Sequence, residues 1–384
     1  METILIHQSR IKPILHFHPW IFSGAVKQFP KHRKAGIVEV MAENGLRLGY
    51  GFADAESQIS CRMFHFGPEE AAEFPQTYWN EKFSRALALR KSLLITDQTD
   101  TYRLIHAEGD GMPGVIADVY GGKTVVIHTL IGITTTMIDQ WRLALKQLGF
   151  KCIYHKTGHE KTGDWILGKA RVQILVKENG LKFSVDVENG QKTGFFIDQR
   201  DNRLTIKQLS KNKKVLNAFG YTGGFSVYAL AGGANDVVTV DISESACNES
   251  VNNVAENQLD ASKHKAIKAD CFEYLKEMDS DFDLIILDPP AFAKSKAAVD
   301  KAARGYKEIN LCAFRKIKSE GLLATFSCSQ HIDKDLFRKI VFSAAADSGR
   351  SVRIIQQLTQ PLDHPINIYH PEGEYLKGLL LYVD

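Results

Sequence analysis

Cysteine is scarce here: six in 384 residues, at 61, 152, 247, 271, 312 and 328. No two stand closer than 16 positions, which leaves no CxxC pair, no zinc ribbon and no disulfide framework. No run reaches 18 apolar residues, so no membrane span is expected. The first residues, METILIHQSRIKP, lack a basic start, an apolar core and a small-residue cleavage site, unlike a secretory signal. Sparse, unpaired thiols without an export signal point to a reducing, cytoplasmic compartment. An excess of one charge is missing too. Lys and Arg number 48 against 45 Asp and Glu, and segments 1–72, 73–185 and 186–384 carry +1, +4 and −2. Any surface for a polyanion must therefore be local.

What is present is the balance of a globular protein, 44% hydrophobic and 24% charged. The length suits two or three domains with cores that need no covalent or metal staple. Residues 1–72 read as short strands: WIFSGAV, then GIVEVMAENGLRLGYGFAD with a hairpin at Asn44-Gly45, then QISCRMFHF. A small β-barrel is expected. Prolines 68 and 75 mark a linker into a helix over 78–95. Segment 73–185 continues as an α+β layer, with a helix over 133–148 and hairpins at Gly121-Gly122 and Asn179-Gly180.

From 186 to 384 strands and helices alternate. Strands are expected at 214–219, 236–241, 265–270, 283–288, 322–327, 352–359 and 375–383, with helices near 224–231, 243–257, 271–278, 303–317 and 333–347. Near-continuous apolar strands between amphipathic helices imply an α/β fold whose parallel sheet is covered on both faces. No helix is legible before the seventh strand, so that strand is expected to return antiparallel.

Ligands of such sheets bind at the carboxyl ends of the strands. The first strand runs into Asn217-Ala218-Phe219-Gly220-Tyr221-Thr222-Gly223-Gly224, a turn flexible enough for close approach to a ligand. It is not GxGxxG, which argues against a dinucleotide. Asp241 ends the second strand, where a carboxylate can accept from ribose hydroxyls. Asp270 ends the third, suited to an adenine amino group, and Asp288 ends the fourth. The plainer reading of each aspartate is a helix N-cap. Three in register behind a Gly-rich turn favour an adenosyl ligand.

Asp288 opens into Pro289-Pro290, which stiffens the loop and aims the carboxylate into the cleft. This DPP resembles that of adenosylmethionine enzymes acting on base amino groups. Those usually continue with an aromatic residue, where Ala291 stands here and Phe292 follows. Cys328 ends the fifth strand, just before a helix expected near Asp333; a thiol at a helix N-terminus is more readily a thiolate. Cysteines 61, 152, 247 and 312 read as small buried residues. A thiolate beside a methyl donor suits methylation at carbon 5 of a pyrimidine, because its addition to carbon 6 makes carbon 5 nucleophilic.

These residues resemble the PUA-containing family of ribosomal RNA large-subunit methyltransferases, of the 23S cytosine-5 type. HPWIFSGAV, GIVEV and GYGFADAESQISCRMF resemble its PUA domain, an RNA-binding barrel, and YRLIHAEGDGMPGVIADVYGG its central domain. ENGQKTGFFIDQRDNR, VLNAFGYTGGFSVYAL, DPPAFAKSK, RGYKEIN and FSCSQ resemble its catalytic part. The resemblance implies a Rossmann-like class I methyltransferase domain over 186–384, S-adenosylmethionine as cofactor, 23S ribosomal RNA as partner, and neither membrane nor metal. It implies Asn217, Phe219, Gly220, Tyr221 and Gly223 around the methionine half, Asp241 at the ribose, and Asp270 with Cys271 at the adenine. Phe195, Gln199 and Arg200 would close the site, Asp288 would orient the base, and Cys328 would be the nucleophile.

Where many RNA cytosine-5 methyltransferases carry a second cysteine, this chain has Pro289-Pro290. The base that removes the carbon-5 proton is left open, with His331 near in sequence. Lys294, Lys296, Lys301, Arg304 and Lys307, with Tyr306 among them, would contact RNA; Lys27, Lys31, His32, Arg33 and Lys34 could extend the track. Two alternatives stand beside this reading: a guanine N7 or amino-group RNA methyltransferase on the same scaffold, and a non-catalytic RNA-binding or assembly protein. Monomer and homodimer both remain open.

Overall fold

The computed structural model describes residues 1–30, 36–54, 56–69, 74–129, 135–158, 163–171, 173–190, 193–293 and 295–384. Lys31, His32, Arg33, Lys34 and Lys294, expected to face RNA, lie outside the described residues. Two compact units form. The first comprises Met1–Lys177, Val185–Ile197 and Leu362–Gly373; the second comprises Glu178–Ser184, Asp198–Pro361 and Glu374–Asp384.

The first unit holds a six-stranded sheet, in spatial order Trp20–Phe22, Ile59–Phe66, Arg47–Ala53, Gly36–Ala42, Glu2–Ile6 and Val26–Gln28. Alternation sends Val38, Val40 and Ala42 inward beside Ile4 and Ile6, and Gly45 turns the hairpin at φ +84°. The N-terminal strand Glu2–Ile6 was not foreseen. A five-stranded sheet follows, Asp164–Leu167, Cys152–Thr157, Thr124–Thr129, Val115–Tyr120 and Tyr102–His106, with helices Gln76–Leu93 and Thr135–Gln147. Tyr50, Phe52 and Phe64 of the first sheet share one core with Trp79, Phe83 and Trp141. Phe52 stacks on Phe64 at 4.6 Å, and Trp79 meets Trp141 at 5.6 Å. An aromatic core therefore runs across the boundary drawn at 72 from composition.

The second unit is built on seven strands: β1 (Lys214–Ala218), β2 (Asp236–Asp241), β3 (His264–Lys268), β4 (Leu284–Leu287), β5 (Gly321–Ser327), β6 (Val352–Leu358) and β7 (Lys377–Val383). Their order is β3-β2-β1-β4-β5-β7-β6, parallel except for β7, which runs antiparallel to β5 and β6. All four residues of β4 are buried, as a strand covered on both faces requires. Helices α1 (Arg200–Leu209), α2 (Gly224–Ala231), α3 (Glu244–Glu256), α4 (Cys271–Glu277), α5 (Val299–Lys316) and α6 (Lys334–Ser348) complete the unit. The chain leaves β1 towards β2 and later returns to β1's other side as β4. The switch point thus lies at the carboxyl ends of β1 and β4. Among the described residues, no helix is long and apolar enough to cross a membrane.

Candidate active site

The turn after β1 is built on unusual backbone geometry. Phe219 and Tyr221 hold positive φ (+60° and +45°), as does Gly223 at +76°. For residues with a Cβ this conformation costs about 1–3 kcal/mol each, and it persists where the surroundings over-determine it. The Gly220 amide donates to Val240 O at 3.0 Å. A Cβ on Gly220 would stand 2.5 Å from Thr239 Cγ2, and one on Gly223 2.6 Å from Ser250 Cβ. Both glycines therefore press the turn against β2 and α3.

Asp241 joins this turn. Its Oδ2 accepts from the Tyr221 amide and its Oδ1 from the Ser243 amide, both at 2.9 Å. It is not a helix cap, because Ser243 caps α3 through its hydroxyl. Asp270 is the reverse case: exposed, it caps α4, with Oδ1 accepting from the amides of Phe272 (2.8 Å) and Glu273 (3.3 Å). The buried Cys271 thiol accepts from the Phe219 amide at 3.2 Å and donates to Val240 O at 3.5 Å. Burial pushes this thiol up to about 12, so it serves as a neutral tie. Asn217 is fully buried and donates to Ser226 Oγ at 2.9 Å; its Oδ1 has no partner among the described residues.

Across the switch point, the buried Asn202 amide donates to Gln199 Oε1 at 2.6 Å, and Gln199 Nε2 donates to Asp288 Oδ1 at 2.9 Å. Arg200 is buried at the start of α1. Phe195 is buried within the first unit. Half-buried Cys328 follows β5, with Sγ 4.0 Å from Pro289 O. Ser329 ties the two loops together: its Oγ accepts from the Ala293 amide at 3.1 Å and meets the Tyr306 hydroxyl at 3.0 Å. Buried Lys377 donates to Ser329 O at 2.7 Å and Tyr375 O at 2.6 Å.

Two expectations need correction. The helix expected near Asp333 is there, since α6 begins at Lys334 with Asp333 as its cap, but Cys328 stands five residues before that cap and so is not at the helix N-terminus. Tyr306 does not face RNA. It is fully buried on α5, its ring 4.5 Å from that of Phe292. Arg304, Lys301 and Lys296 are exposed, whereas Lys307 pairs with Asp347 at 2.6 Å and Lys27 with Glu43.

A family model described as S-adenosylmethionine-dependent methyltransferase matches residues 125–370, and one for a PUA-like domain matches residues 4–66. The ribosomal RNA large subunit methyltransferase I of Alteromonas mediterranea is 39% identical, over 99% of this chain and 98% of its own. That of Tolumonas auensis is 40% identical over 99% and 98%. This chain belongs to that methyltransferase family. A crystal structure of SMU.776 complexed with SAH superposes with a TM-score of 0.88, covering 100% of both chains at 23% identity, a likeness of fold.

The methyltransferase's rim fits S-adenosylmethionine. A strained turn packed too closely for side chains, a carboxylate fixed by two amides and a buried, unsatisfied Asn217 oxygen together suit a polar nucleoside ligand. Two contributors escaped the sequence reading. Asn202 lies on a helix that was not foreseen. Lys377 showed only as a lone cation in the apolar run YLKGLLLYV.

Proposed function

We propose that this methyltransferase forms 5-methylcytosine in 23S ribosomal RNA, in the cytoplasm, with Cys328 as nucleophile. The observation that carries the reading is a partly accessible thiol at the end of β5, against the Asp288-Pro289-Pro290 loop and across the switch point from the glycine turn. The relatives' name supports the ribosomal substrate, and six free cysteines suit a reducing compartment.

In this reading Asn217, Phe219, Gly220, Tyr221 and Gly223 hold the methionine half, Asp241 accepts from the ribose, and Asp270 with Cys271 borders the adenine. S-adenosylmethionine, when bound, supplies a methyl group on a positively charged sulfur that leaves as a neutral thioether. Asp288, steadied by Gln199, accepts from the cytosine amino group and holds the ring over Cys328. The thiolate adds to carbon 6, and the displaced π electrons make carbon 5 the nucleophile. After methylation a base takes the carbon-5 proton, and the carbon–sulfur bond breaks to return the thiolate. A cytosine within helical RNA must first be flipped out.

Cys328→Ala is expected to abolish methylation with the fold and cofactor binding intact. RNA carrying 5-fluorocytosine is expected to leave a covalent adduct on the wild type, because fluorine cannot depart as a proton. Retained transfer in the alanine variant, with 7-methylguanosine or an amino-methylated nucleoside found by mass spectrometry, would overturn the reading.

A further inference from the structure

The α6 N-terminus begins five residues after Cys328. Among the described residues, a buried cation on β7 reaches the Cys328 loop. In the antiparallel β5–β7 pair, Lys377 stands directly opposite Ser327. From there its side chain reaches Ser329 O at 2.7 Å, so the ammonium spans the level of Cys328. Lys377 is 4% exposed and sits in a strand that is otherwise apolar. A cation in that position costs desolvation free energy, and backbone carbonyls alone are a weak reason to keep one.

We propose that Lys377 is a positioning residue for methyl transfer, its ammonium stabilising the Cys328 thiolate while its hydrogen bonds to Ser329 and Tyr375 hold the Cys328 loop against β7. This rests on Cys328 being the nucleophile. Burial pulls the Lys377 ammonium down to about 8, opposed by the charges of Cys328, Asp333 and Glu374. Glu374 is itself paired with Lys334, and the buried Tyr306 hydroxyl approaches the Cys328 loop through Ser329. The pair has a definite pH signature. As pH rises the thiol gives its proton to solvent and activity rises; near pH 8 Lys377 loses its own proton, the supporting charge disappears, and activity falls.

The test is alkylation of Cys328 by iodoacetamide across pH, read peptide by peptide by mass spectrometry in the full chain. In the wild type the midpoint is expected below about 8.5, the ordinary thiol value. Lys377→Met is expected to raise it by about one pH unit, as loss of a close opposite charge does, and to slow methylation about tenfold at pH 7.5 with partial recovery at pH 9. Lys377→Arg is expected to keep the midpoint within a few tenths of a unit. An unmoved midpoint in Lys377→Met overturns the proposal. A wild-type midpoint at or above 8.5 does so too, even if the variant fails to fold. The reading beneath it fails separately: a Cys328→Ala enzyme that still methylates removes the nucleophile, whatever the alkylation curves show.

Discussion

Three aspartates that look alike in the sequence do different work at the rim. Asp241 spends both oxygens on backbone amides of the turn and of the approach to α3, so its orientation is fixed before any ligand arrives. Asp270 caps a helix, and Asp288 is held by a side-chain chain from Asn202 through Gln199. The difference is testable. Asp270→Asn keeps a capping oxygen and is expected to leave stability within a few tenths of a kcal/mol, whereas Asp270→Ala is expected to lose about 1 kcal/mol. Asp241→Ala is expected to weaken S-adenosylmethionine binding tenfold or more by calorimetry, since the Tyr221 and Ser243 amides each lose an acceptor and the proposed ribose contact goes with them. Equal effects of the two alanine variants on cofactor binding would contradict this division of labour. The glycine turn and DPP were legible because each is a local pattern with its own backbone chemistry. Lys377 was not, because its meaning comes from a strand partner fifty residues earlier.

At the level of elements, α5 shows how a correct helix can be misread in orientation. Its basic residues suggested an RNA-facing surface, and Tyr306 was included because it lies among them. The burial stripe Ala302, Tyr306, Ile309, Ala313 follows helical spacing and puts Tyr306 in the core, while Arg304 points outward. Arg304→Ala is therefore expected to weaken RNA binding and lower its salt slope by about 1. Tyr306→Phe is expected to leave RNA affinity unchanged and to slow methylation, because the hydroxyl that meets Ser329, between the Asp288 and Cys328 loops, is gone. A loss of RNA affinity in Tyr306→Phe would reverse the assignment. Helix α1 went unseen for a related reason. Its buried face is Arg200, Asn202, Arg203 and Ile206, three polar residues and one isoleucine, which no hydrophobic periodicity reveals.

The whole chain divides less simply than its composition suggested. The alternation of strand and helix begins near 186, and the catalytic part was bounded there. The second unit nevertheless includes Glu178–Ser184, and the chain leaves it for Val185–Ile197 and again for Leu362–Gly373. The short early piece matters because Glu178 is buried against Arg203, at 2.7 Å, and also accepts from the Tyr228 hydroxyl at 3.0 Å. Ser184, in the same piece, donates its amide to Asn253 at 2.9 Å. A fragment starting at 186 leaves the Arg203 guanidinium buried without its carboxylate, a loss of about 3–5 kcal/mol for pairs of this kind. One starting at 178 keeps the pair. The longer fragment is thus expected to melt many degrees higher and to bind S-adenosylmethionine where the shorter does not. Equal melting and binding would mean that the seven-residue piece is a connector, and that the boundary at 186 was drawn in the right place.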